Sequence, residues 1–311
     1  MKKYAVVFPG QGSQSVGMFA SFMDNAIVAQ TYAEANEALG YDLKAVTLNG
    51  PESELNRTEV TQPAILAASI AAYRVLTSQT AGLPAALAGH SLGEYSALVA
   101  AGAIQFADAL RLVRLRGQAM QEAVPAGSGA MAAVLGLEDE VIKNICKEAS
   151  QGLDAVWAAN FNSPGQVVVS GTKEAVTRAT VLFEHAGAKR VVPLAVSAPS
   201  HCPLMQKAAD RLQQALTEIE VLEAKIPVYC NAFAHAITHK EDILQALILQ
   251  LTGPVRWVET VQALKADGIE VLVEAGPGKV LCGLNRRIDR TLGAANVQDE
   301  DSLAKALQAL A

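Results

Sequence analysis

Several features that would point to common classes of protein are missing from this sequence. The four cysteines, Cys146, Cys202, Cys230 and Cys282, are dispersed and form no CxxC pair. This pattern favours reduced thiols in a cytoplasmic protein. No basic stripe accompanies the net charge of −6 and the pI near 5.5, so a nucleic-acid partner is disfavoured.

Long hydrophobic segments are also absent. The most apolar stretch, QPAILAASIAAYRVL, is interrupted by Ser69, Tyr73 and Arg74 and is too short to span a membrane. The first residues, MKKYAVVFPGQG, hold an apolar run too short for the hydrophobic region of a signal peptide. We therefore expect a cytoplasmic protein without a membrane segment. A monomer is also expected, although the sequence does not determine the oligomeric state, and no metal or cofactor site is visible.

The residues that are present favour a large packed α/β protein. Half of the 311 residues are hydrophobic and 18% are charged, which is ample for a core. Short apolar runs such as YAVVF, AALAG and IEVLVEAG alternate with longer helical patterns. The sequence predicts an α/β-hydrolase-like large domain with a parallel-sheet core.

The middle of the chain follows a different order. From about residue 128 to 196 the pattern is strand, helix, strand, strand, helix, strand, with the turn NSPG between the central strands. This βαββαβ order is typical of a ferredoxin-like unit. We predict a large domain formed by residues 1–126 and 198–311, with residues 127–197 inserted as a small subdomain.

Ser91 is the strongest candidate for a nucleophile. It lies in Gly89-His90-Ser91-Leu92-Gly93, which fits G-x-S-x-G with a predicted strand before it and a predicted helix after it. A sharp turn of this kind projects the hydroxyl at a helix N-terminus, where a developing anion is favoured. The alternative, a plain glycine-rich loop, is common because the five-residue pattern alone is weak.

A serine nucleophile needs a base, and His201 is the candidate. It lies in AVSAPSHCPLM, between a predicted strand and a predicted helix, and it follows the serine as in α/β-hydrolases. A structural loop histidine is the competing interpretation. Asp154 is the acidic residue considered for a third member, but it falls in the inserted unit, so a backbone carbonyl could hold the imidazole instead.

Two further features complete the predicted site. The turn FPGQGSQ could present backbone N–H groups to an oxyanion, and it fails the spacing of both nucleotide-binding loops. Arg116 falls at the edge of the apolar stripe of a helix, where an unpaired guanidinium is costly. It could grip a substrate carboxylate, form an internal salt bridge, or extend its side chain to solvent.

Together these segments resemble the malonyl-CoA:acyl carrier protein transacylase family of fatty-acid synthesis. Each motif alone is modest, but eight in order across almost the whole chain are specific. They are FPGQGSQ, TQPAI, GHSLGEYSAL, RLRGQAM, NFNSPGQVVVSG, SAPSHC, PVRW and EAGPGKVLCGL.

The resemblance implies transfer of a malonyl group from malonyl-CoA to holo acyl carrier protein by a ping-pong mechanism. Ser91 would be acylated, and His201 would be its base. The other implied roles are a carboxylate clamp (Arg116, helped by His90), oxyanion N–H groups (Gln11, Leu92), a backbone carbonyl that orients His201 (Gln250), and a cleft lining (Asn160, Asn162). A serine thioesterase or esterase with the same chemistry is the alternative.

Overall fold

The structure is a computed structural model that describes residues 2–196 and 198–311. Its strands are β1 (Tyr4–Phe8), β2 (Ala86–Gly89), β3 (Gly129–Leu135), β4 (Val156–Ser163), β5 (Gln166–Thr172), β6 (Arg190–Pro193), β7 (Val228–Tyr229), β8 (Ala236–Ile237), β9 (Val271–Ala275) and β10 (Gly293–Val297). Its helices are α1 (Ala26–Leu39), α2 (Leu43–Asn49), α3 (Glu52–Leu55), α4 (Thr58–Gln79), α5 (Gly93–Ala100), α6 (Phe106–Glu122), α7 (Asp139–Ala149), α8 (Lys173–His185), α9 (Gln206–Leu216), α10 (Lys240–Thr252), α11 (Trp257–Ala266), α12 (Val280–Ile288) and α13 (Glu300–Leu310). Two short 3₁₀ helices cover Ala20–Phe22 and Pro203–Met205.

The larger sheet has the strand order β10-β9-β1-β2-β7-β8. Its neighbours are parallel except for the short antiparallel pair of β7 and β8. Tyr4, Val6 and Phe8 of β1 belong to the hydrophobic core on one face, whereas Ala5 and Val7 belong to the core on the other. Burial on both faces explains why the strand is continuously apolar. The predicted parallel-sheet core is confirmed.

The smaller sheet has the order β4-β5-β3-β6 and is antiparallel throughout. Helices α7 and α8 pack their apolar sides against β3, β4 and β5. The predicted ferredoxin-like order is therefore confirmed. The exact boundaries of the inserted subdomain, 127 and 197, stay a prediction, and residue 197 lies outside the described residues.

The carboxyl ends of β1 and β2 adjoin at one edge of the larger sheet, where Phe8 is the register partner of Gly89. Ligands of open α/β sheets bind at this edge. The smaller sheet is tied to it by two hydrogen bonds of 2.9 Å, from Phe161 N–H to the Val255 carbonyl and from Val255 N–H to the Ala159 carbonyl. The two sheets therefore enclose a cleft above the strand ends.

The described residues contain neither a membrane-spanning helix nor a cluster of metal ligands. None of the helices in residues 2–196 and 198–311 is long and apolar enough to cross a membrane. Over the same residues, His, Cys, Asp and Glu side chains form no group of three or more that could hold a metal ion.

Candidate active site

The turn between β2 and α5 carries Ser91 in a strained conformation. Its φ is 52°, in the left-handed region that non-glycine residues rarely adopt. A Cβ on Gly89 would lie 1.9 Å from the carbonyl carbon of Gly93, and a Cβ on Gly93 would lie 2.1 Å from the Phe8 carbonyl oxygen. Only glycine fits at both positions, so the two glycines allow the sharp turn that presents the serine hydroxyl.

The hydroxyl of Ser91 meets the imidazole of His201. The distance from Ser91 Oγ to His201 Nε2 is 2.7 Å, and His201 Nδ1 lies 2.8 Å from the backbone carbonyl of Gln250. Because a carbonyl can only accept, Nδ1 carries the proton and Nε2 presents its lone pair to the serine. The imidazole is thus oriented by a carbonyl at the C-terminal end of α10, where many serine enzymes use a carboxylate.

His201 is itself held in an unusual position. Its φ is 60°, so Ser91 and His201 both occupy the left-handed region. Burial, together with the nearby Arg116 cation, lowers the pKa of His201 to about 3. The imidazole is therefore neutral near pH 7, which is the form that accepts a proton.

Arg116 lies on α6 with 1% of its surface exposed. Its Nη1 donates to Gln62 Oε1 at 3.0 Å, and its Nη2 donates to Gln250 Oε1 at 3.0 Å and to Ser91 Oγ at 3.3 Å. Among the described residues, no carboxylate lies within ion-pair distance of this guanidinium. Arg116 therefore neither forms an internal salt bridge nor extends to solvent. Its hydrogen-bond partners are amide and hydroxyl oxygens, and its guanidinium lies over the ring of Tyr95, 5.5 Å from the centroid.

The packing of α6 against α4 explains how Arg116 reaches this place. A Cβ on Gly117 would lie 2.8 Å from the backbone of Glu59, so only glycine permits so close a crossing. The crossing brings Arg116 beside Gln62 on α4. Sequence reasoning missed Gln62, although it lies in the quoted segment TQPAI and a glutamine in an apolar helix is a signal.

Two more buried polar residues were missed. Glu94, on the first turn of α5, is fully buried, and its Oε2 accepts from Asn231 N–H and from Gln250 Nε2, both at 2.9 Å. Asn231 in turn accepts from Ser91 N–H at 2.7 Å and donates to the Gly89 carbonyl at 2.6 Å. These contacts fasten both sides of the serine turn to the loop after β7 and to α10.

The turn after β1 lies against the serine turn. His90 N–H donates to the Phe8 carbonyl at 3.0 Å, and a Cβ on Gly10 would lie 2.5 Å from the His90 carbonyl oxygen. Gln11 lines the same cavity as Ser91. Within the described chain the backbone N–H groups of Gln11 and Leu92 have no acceptor. The geometry is compatible with an oxyanion hole, and that role stays a prediction.

A cavity of about 550 Å³ connects these groups to solvent. His90, Asn160 and Asn162 line it with Ser91, Arg116 and His201. His90 Nε2 donates to Asn162 Oδ1 at 2.7 Å, which links the serine turn to β4 of the smaller sheet. A chain of polar contacts therefore crosses the cleft from one sheet to the other.

The remaining histidines and acidic candidates lie elsewhere. His185 ends α8, and His239 lies 3.4 Å from Glu223 at the surface. The backbone carbonyl of Asp154 accepts from Arg178 within the smaller unit, away from the cavity lining. A larger open groove of about 770 Å³ lies between α7, β4 and α11, but it contains no serine–histidine pair. We therefore take the cavity that contains Ser91 and His201 as the candidate active site.

The site contains a serine with a strained backbone that is hydrogen-bonded to a neutral histidine at the carboxyl edge of a parallel sheet. This arrangement defines a serine-dependent acyl-transfer enzyme. Residues 5–306 match the family model described as the acyl transferase domain. The chain belongs to this acyltransferase family and, within it, to the malonyl CoA-acyl carrier protein transacylases, as the following relatives establish.

The malonyl CoA-acyl carrier protein transacylase of Escherichia coli strain K12 is 53% identical over 309 residues, covering 99% of this chain and 100% of the relative. A crystal structure of an acyl carrier protein S-malonyltransferase from Vibrio cholerae is 56% identical, with a TM-score of 0.96 over 98% of this chain and 100% of that one. A third, a malonyl-transacylase in complex with a type II PKS acyl-carrier protein, is 53% identical, with a TM-score of 0.96 over 99% of both chains. The likeness extends over the full fold.

Proposed function

We propose that this enzyme transfers a malonyl group from malonyl-CoA to the phosphopantetheine thiol of acyl carrier protein, through a malonyl ester on Ser91, and so supplies fatty-acid synthesis. The observation that carries this proposal is the Arg116 cation, buried 3.3 Å from the serine hydroxyl without a carboxylate partner. A buried cation with no carboxylate in direct contact favours an anion in the adjoining cavity. The free carboxylate of a malonyl group supplies one beside the reacting thioester.

In the first half-reaction Ser91 Oγ attacks the thioester carbonyl while His201 Nε2 accepts the hydroxyl proton. The oxyanion that forms is stabilised by the N–H groups of Gln11 and Leu92. The C–S bond then breaks, and the imidazolium returns its proton to the departing CoA thiolate. The products are CoA and malonyl-Ser91, and His201 is neutral again.

The second half-reaction repeats these steps with a different thiol. His201 deprotonates the phosphopantetheine thiol, and the thiolate attacks malonyl-Ser91 and releases the serine. We assign His90, Asn160 and Asn162 to the lining that contacts the acyl group and the pantetheine chain, because they surround the serine in the cavity. We assign Gln250 to orienting His201, because its carbonyl is 2.8 Å from Nδ1.

The proposal includes the setting in which the enzyme works. The proposed reaction requires no residue from a second subunit, so we propose that it takes place in a monomer. All four cysteines are free and buried thiols, which supports a reducing cytoplasm. Burial raises the pKa of the thiol of Cys202, the neighbour of His201, to about 11, so that thiol does not compete as a nucleophile.

The experiment that tests the proposal is mass spectrometry of the intact protein after incubation with malonyl-CoA or with acetyl-CoA. We expect a gain of one malonyl group, and much less acetyl-enzyme, because only malonyl pairs with Arg116. Holo acyl carrier protein added to the isolated malonyl-enzyme should become malonylated faster than water releases malonate. Release to water at a rate that carrier protein does not change would identify a thioesterase instead.

Four exposed basic residues are candidates for docking the carrier protein. We call Lys189, Arg190, Arg286 and Arg287 the basic cluster. Arg190 and Gln166 are both register partners of Leu135, one strand to either side, so their backbones are about 10 Å apart. Arg287 Nη1 donates to Gln166 Oε1 at 2.7 Å, and Gln166 lines the cavity. Arg287 therefore contacts the cavity lining and Arg190 lies two strands from Gln166, so we propose that the cluster attracts an acidic carrier protein to this side of the cavity.

Charge reversal tests this docking surface. Changing the basic cluster to glutamate should raise the KM for carrier protein about tenfold or more at low salt, because like charges repel. Exchange of malonyl between CoA molecules should stay close to the wild-type rate. The control for net charge reverses the same number of basic residues at exposed positions outside the cavity lining, by Lys207→Glu, Lys225→Glu, Lys240→Glu and Lys305→Glu together. An unchanged KM in the cluster variant, measured by steady-state kinetics, would reject the surface.

A further inference from the structure

The side-chain amide of Gln250 lies between two opposite charges. Its Oε1 accepts from Arg116 Nη2 at 3.0 Å, and its Nε2 donates to Glu94 Oε2 and to the Ser91 carbonyl, both at 2.9 Å. An amide oriented in this way presents its oxygen to the cation and its nitrogen to the carboxylate. Glu94 is thus connected to Arg116 through one amide group and is the carboxylate nearest to it along this network.

The two oxygens of Glu94 have different surroundings. Both hydrogen bonds to the carboxyl group end on Oε2. Oε1 is buried and has no hydrogen-bond partner among the described residues. A proton can therefore be added to Oε1 without breaking either bond, so the charge of Glu94 can change while the positions of Gln250 and Asn231 are kept.

We propose that Glu94 is a positioning residue that holds Gln250 and Arg116 beneath Ser91 as an internal counter-ion, and that it takes up a proton when an acyl carboxylate pairs with Arg116. This inference rests on the proposed function, since it requires a malonyl group at Arg116. In the free enzyme one buried anion compensates one buried cation. In the malonyl-enzyme a second anion reaches the same cation, and repulsion between the two carboxylates favours protonation of the one that stays in the protein.

The charges around Glu94 make this exchange accessible near neutral pH. Burial raises the pKa of Glu94 to about 7, against the opposing influence of its hydrogen bonds and Arg116. The other titratable groups facing it are Tyr95 on its own helix and Cys230 before Asn231, and burial raises the pKa of each to about 12. His201, beyond Gln250, is neutral with a pKa of about 3. Glu94 is therefore the group in this cluster that titrates between about pH 6 and pH 8.5.

The experiment measures the equilibrium between malonyl-CoA with free enzyme and CoA with malonyl-enzyme, by intact mass, across that pH range. Below pH 6 Glu94 is protonated in both states, whereas toward pH 8.5 it is ionised in the free enzyme and repels the malonyl carboxylate, so malonyl binding is weaker and takes up part of a proton. The equilibrium constant of the wild type should therefore fall about tenfold as the pH rises, which corresponds to a pKa shift of about one unit. Glu94→Gln, which keeps an acceptor at the Oε2 position but carries no charge, should show no such fall.

Two comparisons distinguish an effect of the charge of Glu94 from an effect of its hydrogen bonds on the structure. Acetyl-CoA, which has no carboxylate, should give a wild-type equilibrium without the tenfold fall, and the released thiol is the same in both reactions. Glu94→Ala, which loses the hydrogen bonds as well, should acylate more slowly at every pH, and Glu94→Gln should restore the rate. The malonyl and acetyl comparison on the unaltered enzyme decides the question even if a variant does not fold.

The outcomes are distinct. Equal pH dependence with the two acyl donors, or an unchanged fall in Glu94→Gln, would overturn the role of Glu94 and leave the transferase assignment intact. Absence of any malonyl adduct on the wild type would instead overturn the proposed function itself.

Discussion

Replacing Ser91 with alanine is expected to abolish the malonyl adduct and to lower the rate of malonyl transfer by about 10⁴-fold or more. The hydroxyl is the only group of the turn that lies 2.7 Å from His201 Nε2, so no neighbouring atom can take its place. Alanine is as strained as serine at a φ of 52°, so the turn itself should persist. Intact mass after incubation with malonyl-CoA and a stopped-flow transfer assay check both parts.

Ser96→Ala is the matched control for this change. Ser96 lies on α5 five residues after Ser91, is fully buried, and has a hydroxyl without a hydrogen-bond partner among the described residues. Its loss should leave adduct formation and transfer near the wild-type values. His201→Ala should fall nearly as far as Ser91→Ala, and the double variant should fall no further, because the two groups act as a unit. A Ser91→Ala enzyme that still gains one malonyl group would place the nucleophile elsewhere.

The sequence could predict those parts of the site that depend on short, local residue patterns. Strand β1, the serine turn and the βαββαβ insertion follow from runs of apolar residues, from glycine spacing and from helical periodicity. Arg116 could be singled out because a guanidinium on an apolar stripe conflicts with burial. His201 could be selected from five histidines because its neighbours are small residues at the end of an element.

The parts that sequence could not predict depend on contacts between distant segments. Glu94 meets Asn231 and Gln250 across 137 and 156 residues, and only the closed fold brings them together. In the sequence Glu94 is an acid in the first helical turn, which by itself indicates a favourable helix dipole at the surface. The left-handed conformation of His201 has only a weak local signal, since histidine adopts it more often than most residues but far less often than glycine.

Replacing Arg116 with alanine is expected to change the preferred acyl group from malonyl to acetyl. The kcat/KM for malonyl-CoA should fall about 10²-fold to 10³-fold, because the substrate carboxylate then enters a buried site with no cation. Acetyl transfer should rise severalfold, because Arg116 disfavours the imidazolium that His201 must become during attack. A bound malonyl carboxylate cancels that effect in the wild type, whereas an acetyl group cannot. Steady-state assays with both donors measure the ratio.

Arg114→Ala is the matched control for the loss of an arginine from α6. Arg114 is partly exposed, stacks over the ring of Tyr41 and donates to the Leu39 carbonyl, away from the cavity. Its loss should leave the malonyl-to-acetyl ratio unchanged, even if the free energy of unfolding falls. Equal losses with both donors in Arg116→Ala would mean that the arginine only supports the fold. A reversed preference would mean that the Arg116 cation has two effects. It binds the malonyl carboxylate, and it lowers the basicity of His201 when no substrate carboxylate is bound.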